Sequence, residues 1–389
     1  MESSAWKQFR WPLRRRNILQ SAGLLLAATA SAVAGNALAA TGNTLTEAQS
    51  TQRKKNMSSL AQRSIGFMLG HEQFTAAQLI DLGVAAEKAG FDLLATSDHF
   101  QPWQDNEGHS SSAWVTLAAL GQRTQSIWIG PTVTCPTLRY NPAVVAETFA
   151  SLSLLYPDRV FLGIGSGEAL NEQAATGDWP NWQQRSERLI EATELIRKLW
   201  TGEQIVHDGK YYRVNAKLYD APTRPLPILM AANGPKAMRR AGQYGDGLVT
   251  DPKTWKEHKS KFEEGLAAAG KKLGDVPVLV EHYVVVGDKK EAEVAAELWR
   301  FGPKAFKGYH NIADPRTIHQ RADSEIPLEK VYADWAIGTD PTVHIRAIEE
   351  LFASGATIVN IHSGQKDQAR VIDFYGSEVL KRVRRQSLA

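Results

Sequence analysis

The chain has 389 residues, 43% of them hydrophobic and 22% charged, with a formal net charge of +3. That balance marks a globular protein of one large or two average domains, and its dispersed cations leave no nucleic-acid footprint. A single cysteine, Cys135, excludes an intrachain disulfide.

Residues 1–39 combine Arg14-Arg15-Arg16, an apolar run over 22–34 and a small-x-small site at Ala37-Leu38-Ala39. A basic region, an apolar core and a cleavage site are the parts of a signal peptide. Paired arginines followed by Asn17, Ile18 and Leu19 look like a twin-arginine (Tat) signal, so the Tat export machinery is an expected partner. The apolar run is short and interrupted by Thr29 and Ser31, which counts against a membrane anchor. The expected location is the periplasm or cell envelope, reached in a folded state. Residues 40–62 are rich in Ser, Thr and Gln and read as a flexible leader. The folded unit is expected over 63–389.

Strand-like and helix-like patterns alternate from there. Strands are predicted at 64–69, 91–97, 127–136, 160–164, 227–232, 247–250, 276–286 and 357–362. Helices are predicted over 76–89 and 185–200, and from Asn141-Pro142 and Gly234-Pro235, where proline takes the first helical position. Strands separated by helices in this number point to an α/β fold, a (β/α)8 TIM barrel. A doubly wound sheet is the alternative, but no Gly-x-Gly-x-x-Gly follows the first strand; its loop reads Gly70-His-Glu-Gln-Phe74. Residues 301–340 lack strand periodicity and read as an insertion before the last strand, in the position of a lid.

Two strands end in chemistry. The run Phe91-Asp-Leu-Leu-Ala-Thr-Ser-Asp98-His99 is an apolar strand closing on an acid and an imidazole, with Trp103 four residues on. The run Arg159-Val-Phe-Leu-Gly-Ile-Gly-Ser166-Gly167-Glu168 ends in a glycine turn that delivers a carboxylate, and Asn171 follows. Glycine lets a flat ligand approach the backbone, and a carboxylate at that lip suits proton transfer. Acid–base residues at the ends of two strands suggest a barrel mouth.

The segments Ser97-Asp-His-Phe-Gln-Pro-Trp103, Cys135-Pro-Thr-Leu-Arg-Tyr-Asn-Pro142, 155–172 and Gly245-Asp-Gly247 resemble the F420-dependent glucose-6-phosphate dehydrogenase family of the luciferase-like superfamily, over about 64–385. Within it, Gln101-Pro-Trp-Gln-Asp-Asn-Glu-Gly-His109, Asn171-Glu-Gln-Ala-Ala-Thr176, Leu298-Trp-Arg-Phe301 and Asp334-Trp-Ala-Ile-Gly-Thr-Asp-Pro341 resemble the branch of exported F420-dependent hydroxymycolic acid dehydrogenases. The resemblance implies hydride transfer between an alcohol carbon and C5 of the deazaflavin coenzyme F420. His99 is then the base for the hydroxyl proton, Glu168 the acid near N1 of the ring, and Trp103 the neighbour that stabilises developing charge. It also implies cofactor contacts at Asp98, at a cis peptide between Thr132 and Val133, and at Cys135, Ser166, Gly167 and Asn171. Asn233, Gly234, Lys236 and Ala237 would take the phosphodiester at a helix start. The family's sugar-phosphate cations fall here at Thr254, His282 and Trp299, with Lys253 and Arg300 one residue away. Loss of those cations argues against a phosphorylated sugar and for an apolar or lipid secondary alcohol. No metal site is expected, and a homodimer is the expected assembly. The alternatives are an F420-dependent sugar-phosphate dehydrogenase, an FMN-dependent luciferase-like monooxygenase and a non-catalytic binding protein of the envelope.

Overall fold

The computed structural model describes Leu60 and residues 63–301 and 308–386. The signal-peptide reading and almost all of the leader lie outside the described residues. In chain order the elements are β1 (Ser64–Leu69), α1 (Ala76–Ala89), β2 (Leu93–Thr96), α2 (Ala113–Arg123), β3 (Trp128–Pro131), α3 (Pro142–Leu155), β4 (Leu162–Ile164), α4 (Ala169–Thr176) and α5 (Trp182–Leu199). Then come β5 (Ile205–Asp208), β6 (Arg213–Ala216), β7 (Ile228–Ala231), α6 (Pro235–Tyr244), β8 (Gly247–Thr250), α7 (Pro252–Ala268), β9 (Val278–Val285) and α8 (Lys289–Glu297). The last part holds α9 (Pro315–Glu325), α10 (Leu328–Val331), β10 (Ala336–Ile337), α11 (Pro341–Ala353), β11 (Ile358–His362), α12 (Gln368–Phe374) and α13 (Leu380–Gln386).

The main sheet runs β3-β2-β1-β11-β9-β8-β7-β4, with every pairing parallel. Parallel bridges Ile129–Val160 and Thr134–Ile164 join β3 to β4 and close the ring. The result is the expected (β/α)8 barrel, and the open-sheet alternative fails at that closure. Two additions were not legible in the sequence. The antiparallel hairpin β5–β6 follows α5. Short β10, inside the expected insertion, pairs in parallel with the end of β9.

Local sequence sets the element boundaries. Thr75 and Gln78 form a capping box at the start of α1, and Gly90 ends it in the left-handed region at φ 100°. Asn141 caps α3, with Pro142 at the first helical position. An Asn181–Gln184 capping box starts α5 three residues before the apolar periodicity becomes visible. Helix α6 has no such device, because its N-cap, Gly234, offers no side chain.

Strand alternation divides the core in two. Met68, Leu93, Ala95, Phe161, Leu229, Val249, Leu279 and Ile358 fill the barrel lumen. Their neighbours Phe67, Leu94, Leu162, Ile228, Leu248, Val280 and Val359 face the helical layer. The parity fixes which side chains reach the mouth at the C-terminal ends of the strands. Among the described residues, no helix is long and apolar enough to cross a membrane.

Candidate active site

Loops after β1, β2, β3 and β4 converge at the C-terminal end of the barrel. His99 continues the lumen-facing parity of β2. Its Nδ1 lies 3.4 Å from Nδ2 of Asn171, and its Nε2 lies 3.6 Å from Oε1 of Glu72. The Asn171 carbonyl oxygen accepts from the Phe100 N–H at 2.8 Å, which leaves its amide group as a donor. That amide also donates to Oε2 of Glu168 at 3.3 Å. One buried asparagine thus joins His99 to Glu168. With an amide donor facing it, Nδ1 carries the lone pair and Nε2 the proton, turned toward Glu72.

Glu168 is half-buried and is the N-cap residue of α4, yet its side chain makes no capping bond. Ser166 and Gly167 beside it are also half-buried. Gly167 has φ 77°, and a Cβ there would meet Sγ of Cys135 at 2.7 Å, so the turn requires glycine. Cys135 is buried beneath this lip, with its sulfur 3.1 Å from Oγ1 of Thr137, and burial pushes its thiol well above the usual range. The Thr132–Val133 peptide is cis, at the position the resemblance implies. Trp103 lies 5.0 Å from the His99 ring and stacks on Phe301 at 4.5 Å.

Asp98, on the opposite parity from His99, is turned to other partners. Its carboxylate accepts from Thr134 Oγ1 at 2.7 Å and from Arg139 at 3.1 Å. Arg139 also lies 3.7 Å from Glu172, whose other oxygen accepts the Arg139 backbone N–H at 2.7 Å. Burial pushes the Glu172 carboxyl up to about 7, and the charges of Glu168 and Asp98 add to that against the pull of Arg139.

The raised value has a consequence for stability. An unfolded glutamate releases its proton near 4.5, whereas folded Glu172 holds it to about 7. The folded state therefore binds more protons across that window, and stability falls as pH rises through it, by an amount on the order of 3 kcal/mol. Glu172→Gln is expected to flatten this dependence, so that the variant gains on wild type between pH 5 and pH 8 in denaturant titrations. Parallel curves for the two proteins would contradict it.

On the substrate side, parity corrects one expectation. His282 does not reach the mouth: it shares the outward face of β9 with Val280 and Val284, beside His344, and burial lowers it to about 4. The lumen-facing residues are Glu281 and Tyr283. Glu281 bonds Nδ1 of His362, whose ring stacks on Tyr283 at 4.4 Å and meets Trp299 edge-on at 4.3 Å. Trp299 does sit in this aromatic wall, with its indole N–H donating to Gln73 at 3.0 Å. Thr254 does not point free: it is fully buried and its backbone N–H and hydroxyl both bond Asp251, the cap of α7. Asn233 and Lys236 are exposed at the start of α6, and Ala237 is buried there.

Sequence reasoning passed over Glu72, Arg139, Glu172, Glu281, Tyr283 and His362. Glu72 carried a usable signal, an acid just past the end of a barrel strand. It is buried, and Oε2 accepts from Ser97 Oγ at 2.7 Å. The others required the register. Among the described residues, no group of His, Cys, Asp and Glu side chains could hold a metal ion.

A barrel of this construction, with a cis peptide after β3 and an acid–imidazole mouth, defines a class. Residues 56–357 match the luciferase-like monooxygenase family, and the chain belongs to it. It is 47% identical over 328 residues to the F420-dependent hydroxymycolic acid dehydrogenase of Mycobacterium tuberculosis (strain ATCC 25618 / H37Rv), covering 83% of this chain and 89% of the relative. It is 38% identical over 339 residues to the F420-dependent glucose-6-phosphate dehydrogenase of Mycolicibacterium gilvum (strain PYR-GCK), covering 84% and 99%. Its fold matches that of an F420-dependent secondary alcohol dehydrogenase solved in complex with an F420-acetone adduct, with TM-score 0.79, 31% identity and coverage of 83% and 99%.

Proposed function

We propose that this protein is an F420-dependent oxidoreductase that moves a hydride between an alcohol carbon and the deazaflavin, with an apolar or lipid secondary alcohol as substrate. The observation that carries this reading is the Asn171 bridge, which holds an imidazole and a carboxylate together at the barrel mouth.

The residues fit the cofactor. The bare backbone of Ser166 and Gly167 gives a flat ring an edge to lie on. Helix α6 starts without a side-chain cap, and the position of a Cβ on Gly234 is open space, so the N–H groups of Lys236 and Ala237, after Pro235, are available to an anion. Thr132, Val133, Asn171, Asn233, Lys236 and Ala237 complete the proposed contacts, with Asp98 and Cys135 acting from beneath through Arg139 and Gly167. The bound deazaflavin supplies the two-electron acceptor. His99 accepts the hydroxyl proton, and the buried carboxylate of Glu72 stabilises the imidazolium that results. Glu168 manages the proton at the ring's N1 edge. Trp103, stacked on Phe301, walls the reacting carbon from water.

The substrate half favours an apolar alcohol over a sugar phosphate. Trp299, Phe301, Tyr283 and Trp103 line it, and the neighbouring cations are engaged elsewhere. Arg300 pairs with Glu297 at 2.8 Å and with Asp323 at 3.2 Å, and Lys253 lies 4.0 Å from Glu257. Glu281 adds a carboxylate that would repel a phosphate. Export through the twin-arginine route, carrying a folded protein to envelope lipids, belongs to the same proposal.

The leaderless protein is expected to saturate with F420 in fluorescence titration and not with NAD, and to oxidise bulky apolar secondary alcohols while turning over glucose-6-phosphate poorly. Tight NAD binding without F420 saturation would overturn the cofactor. Efficient oxidation of glucose-6-phosphate, with no activity on apolar alcohols, would overturn the substrate.

A further inference from the structure

Tyr283 stands in the substrate wall with its ring fixed and its hydroxyl unused. The register that pairs it with His362 turns it into the barrel lumen near the C-terminal end of β9. The rings of His362 and Trp335 stack on it at 4.4 Å and 5.2 Å. They make no ring contact with each other among the described residues, so they take opposite faces. Trp299 meets the same ring edge-on at 5.7 Å. The side chain is half-buried, yet its hydroxyl has no hydrogen-bond partner among the described residues and is not closed off from solvent. With both faces and an edge covered, the hydroxyl end is the part left open. A tyrosine that only packed would give its O–H a protein partner.

This hydroxyl opens on the side of the mouth that holds the base. Glu72 Oε1 lies 3.6 Å from Nε2 of His99. A Cβ at Gly70 would lie 3.4 Å from Glu72 Oε2 and 3.9 Å from the Trp299 ring, so Trp299 and Glu72 border the same glycine. Tyr283 also shares one apolar cluster with Trp299, Phe301 and Trp103, and Trp103 lies 5.0 Å from the His99 ring. Burial, then the charges of Glu281, Glu72 and Glu107, push the phenol well above the ordinary tyrosine range. It stays protonated at working pH and is available as a donor.

We propose that the Tyr283 hydroxyl donates a hydrogen bond to the oxygen of the reacting alcohol and stabilises the charge that builds there while His99 takes the proton. The proposal rests on the alcohol-oxidation reading above. The step balances: the O–H proton passes to His99, the C–H bond gives up its hydrogen with the electron pair to the deazaflavin, and the carbon–oxygen bond becomes a carbonyl. Tyr283 keeps its own proton throughout. A preorganised donor aimed at a developing oxyanion acts mainly in the transition state.

The test compares the leaderless protein with Tyr283→Phe and Tyr283→Leu. Phenylalanine keeps a ring between His362 and Trp335 and removes only the hydroxyl. Tyr283→Phe is expected to lower kcat about 10²-fold, with the alcohol KM, the F420 dissociation constant and Tm close to wild type. A wild-type kcat in Tyr283→Phe, with or without a loss in Tyr283→Leu, assigns the ring to packing and overturns the proposal while the F420 reading stands. A loss confined to KM or to F420 affinity overturns it as well. If wild type takes up no F420 or oxidises no alcohol, the functional reading fails, and a second measurement decides Tyr283. A bulky apolar ketone, the product of the proposed reaction, is titrated into cofactor-free protein by calorimetry. Binding that is weaker by about 3- to 10-fold in Tyr283→Phe supports the donor. Equal affinities, or no binding by either protein, overturn it.

Discussion

Glu168→Gln is expected to lower kcat by about 10²- to 10⁴-fold, the usual contribution of a positioned acid–base group, while the F420 dissociation constant stays close to that of wild type. The substitution keeps the side chain's shape and removes its titrating proton. Little structure depends on the carboxylate: it makes no capping bond to α4, and its neighbour is Asn171 Nδ2 at 3.3 Å, which a glutamine oxygen accepts equally well. The contrast between a large loss in turnover and an unchanged cofactor affinity separates an acid–base role from a packing role. A variant that turns over at nearly the wild-type rate would make Glu168 structural.

His99→Ala is expected to slow hydride transfer itself, again by about 10²- to 10⁴-fold, in single-turnover reduction of bound F420. In the proposed reading Glu72 acts through this imidazole, as a positioning residue whose Oε1 lies 3.6 Å from Nε2. Glu72→Gln is therefore expected to cause a smaller loss than His99→Ala. Once His99 is gone, Glu72→Gln is expected to add little, because groups acting as one unit are not additive. Independent, multiplying losses in the double variant would show that Glu72 works elsewhere, for instance through Ser97, whose hydroxyl it accepts at 2.7 Å.

Much of this arrangement was legible in the residues. Each barrel strand is a short apolar run bounded by turn residues, and strand ends bearing Asp98-His99 and Glu168 point to a mouth because acid–base groups gather there. The bridge role of Asn171 was not legible, since it depends on its amide lying between two side chains from different strands. The substrate wall was misread at Thr254, which bonds its own helix cap Asp251, and at His282, for a further physical reason. On a strand a one-residue offset reverses the face, and the sequence alone does not set the register of β9 against β11. The observed register pairs His362 with Tyr283, which turns Tyr283 and Glu281 inward and His282 outward. The Arg139–Glu172 cluster was hidden because its partners are 33 residues apart and meet only when the loop after β3 folds over α4. Hairpin β5–β6 was missed because alternation over four residues is too short to stand out: Val206 is exposed and His207 is buried.

The central claim is that His99 and Glu168 serve a single hydride transfer between an apolar alcohol and F420. The most direct measurement is anaerobic single turnover: leaderless protein loaded with F420 is mixed with a bulky apolar secondary alcohol, and the visible absorbance of the oxidised deazaflavin is followed in time. The account predicts a stoichiometric loss of that absorbance, with one ketone formed per F420 reduced and a rate that collapses in His99→Ala. Unchanged absorbance with every apolar alcohol, in a protein that holds F420 tightly, would contradict it.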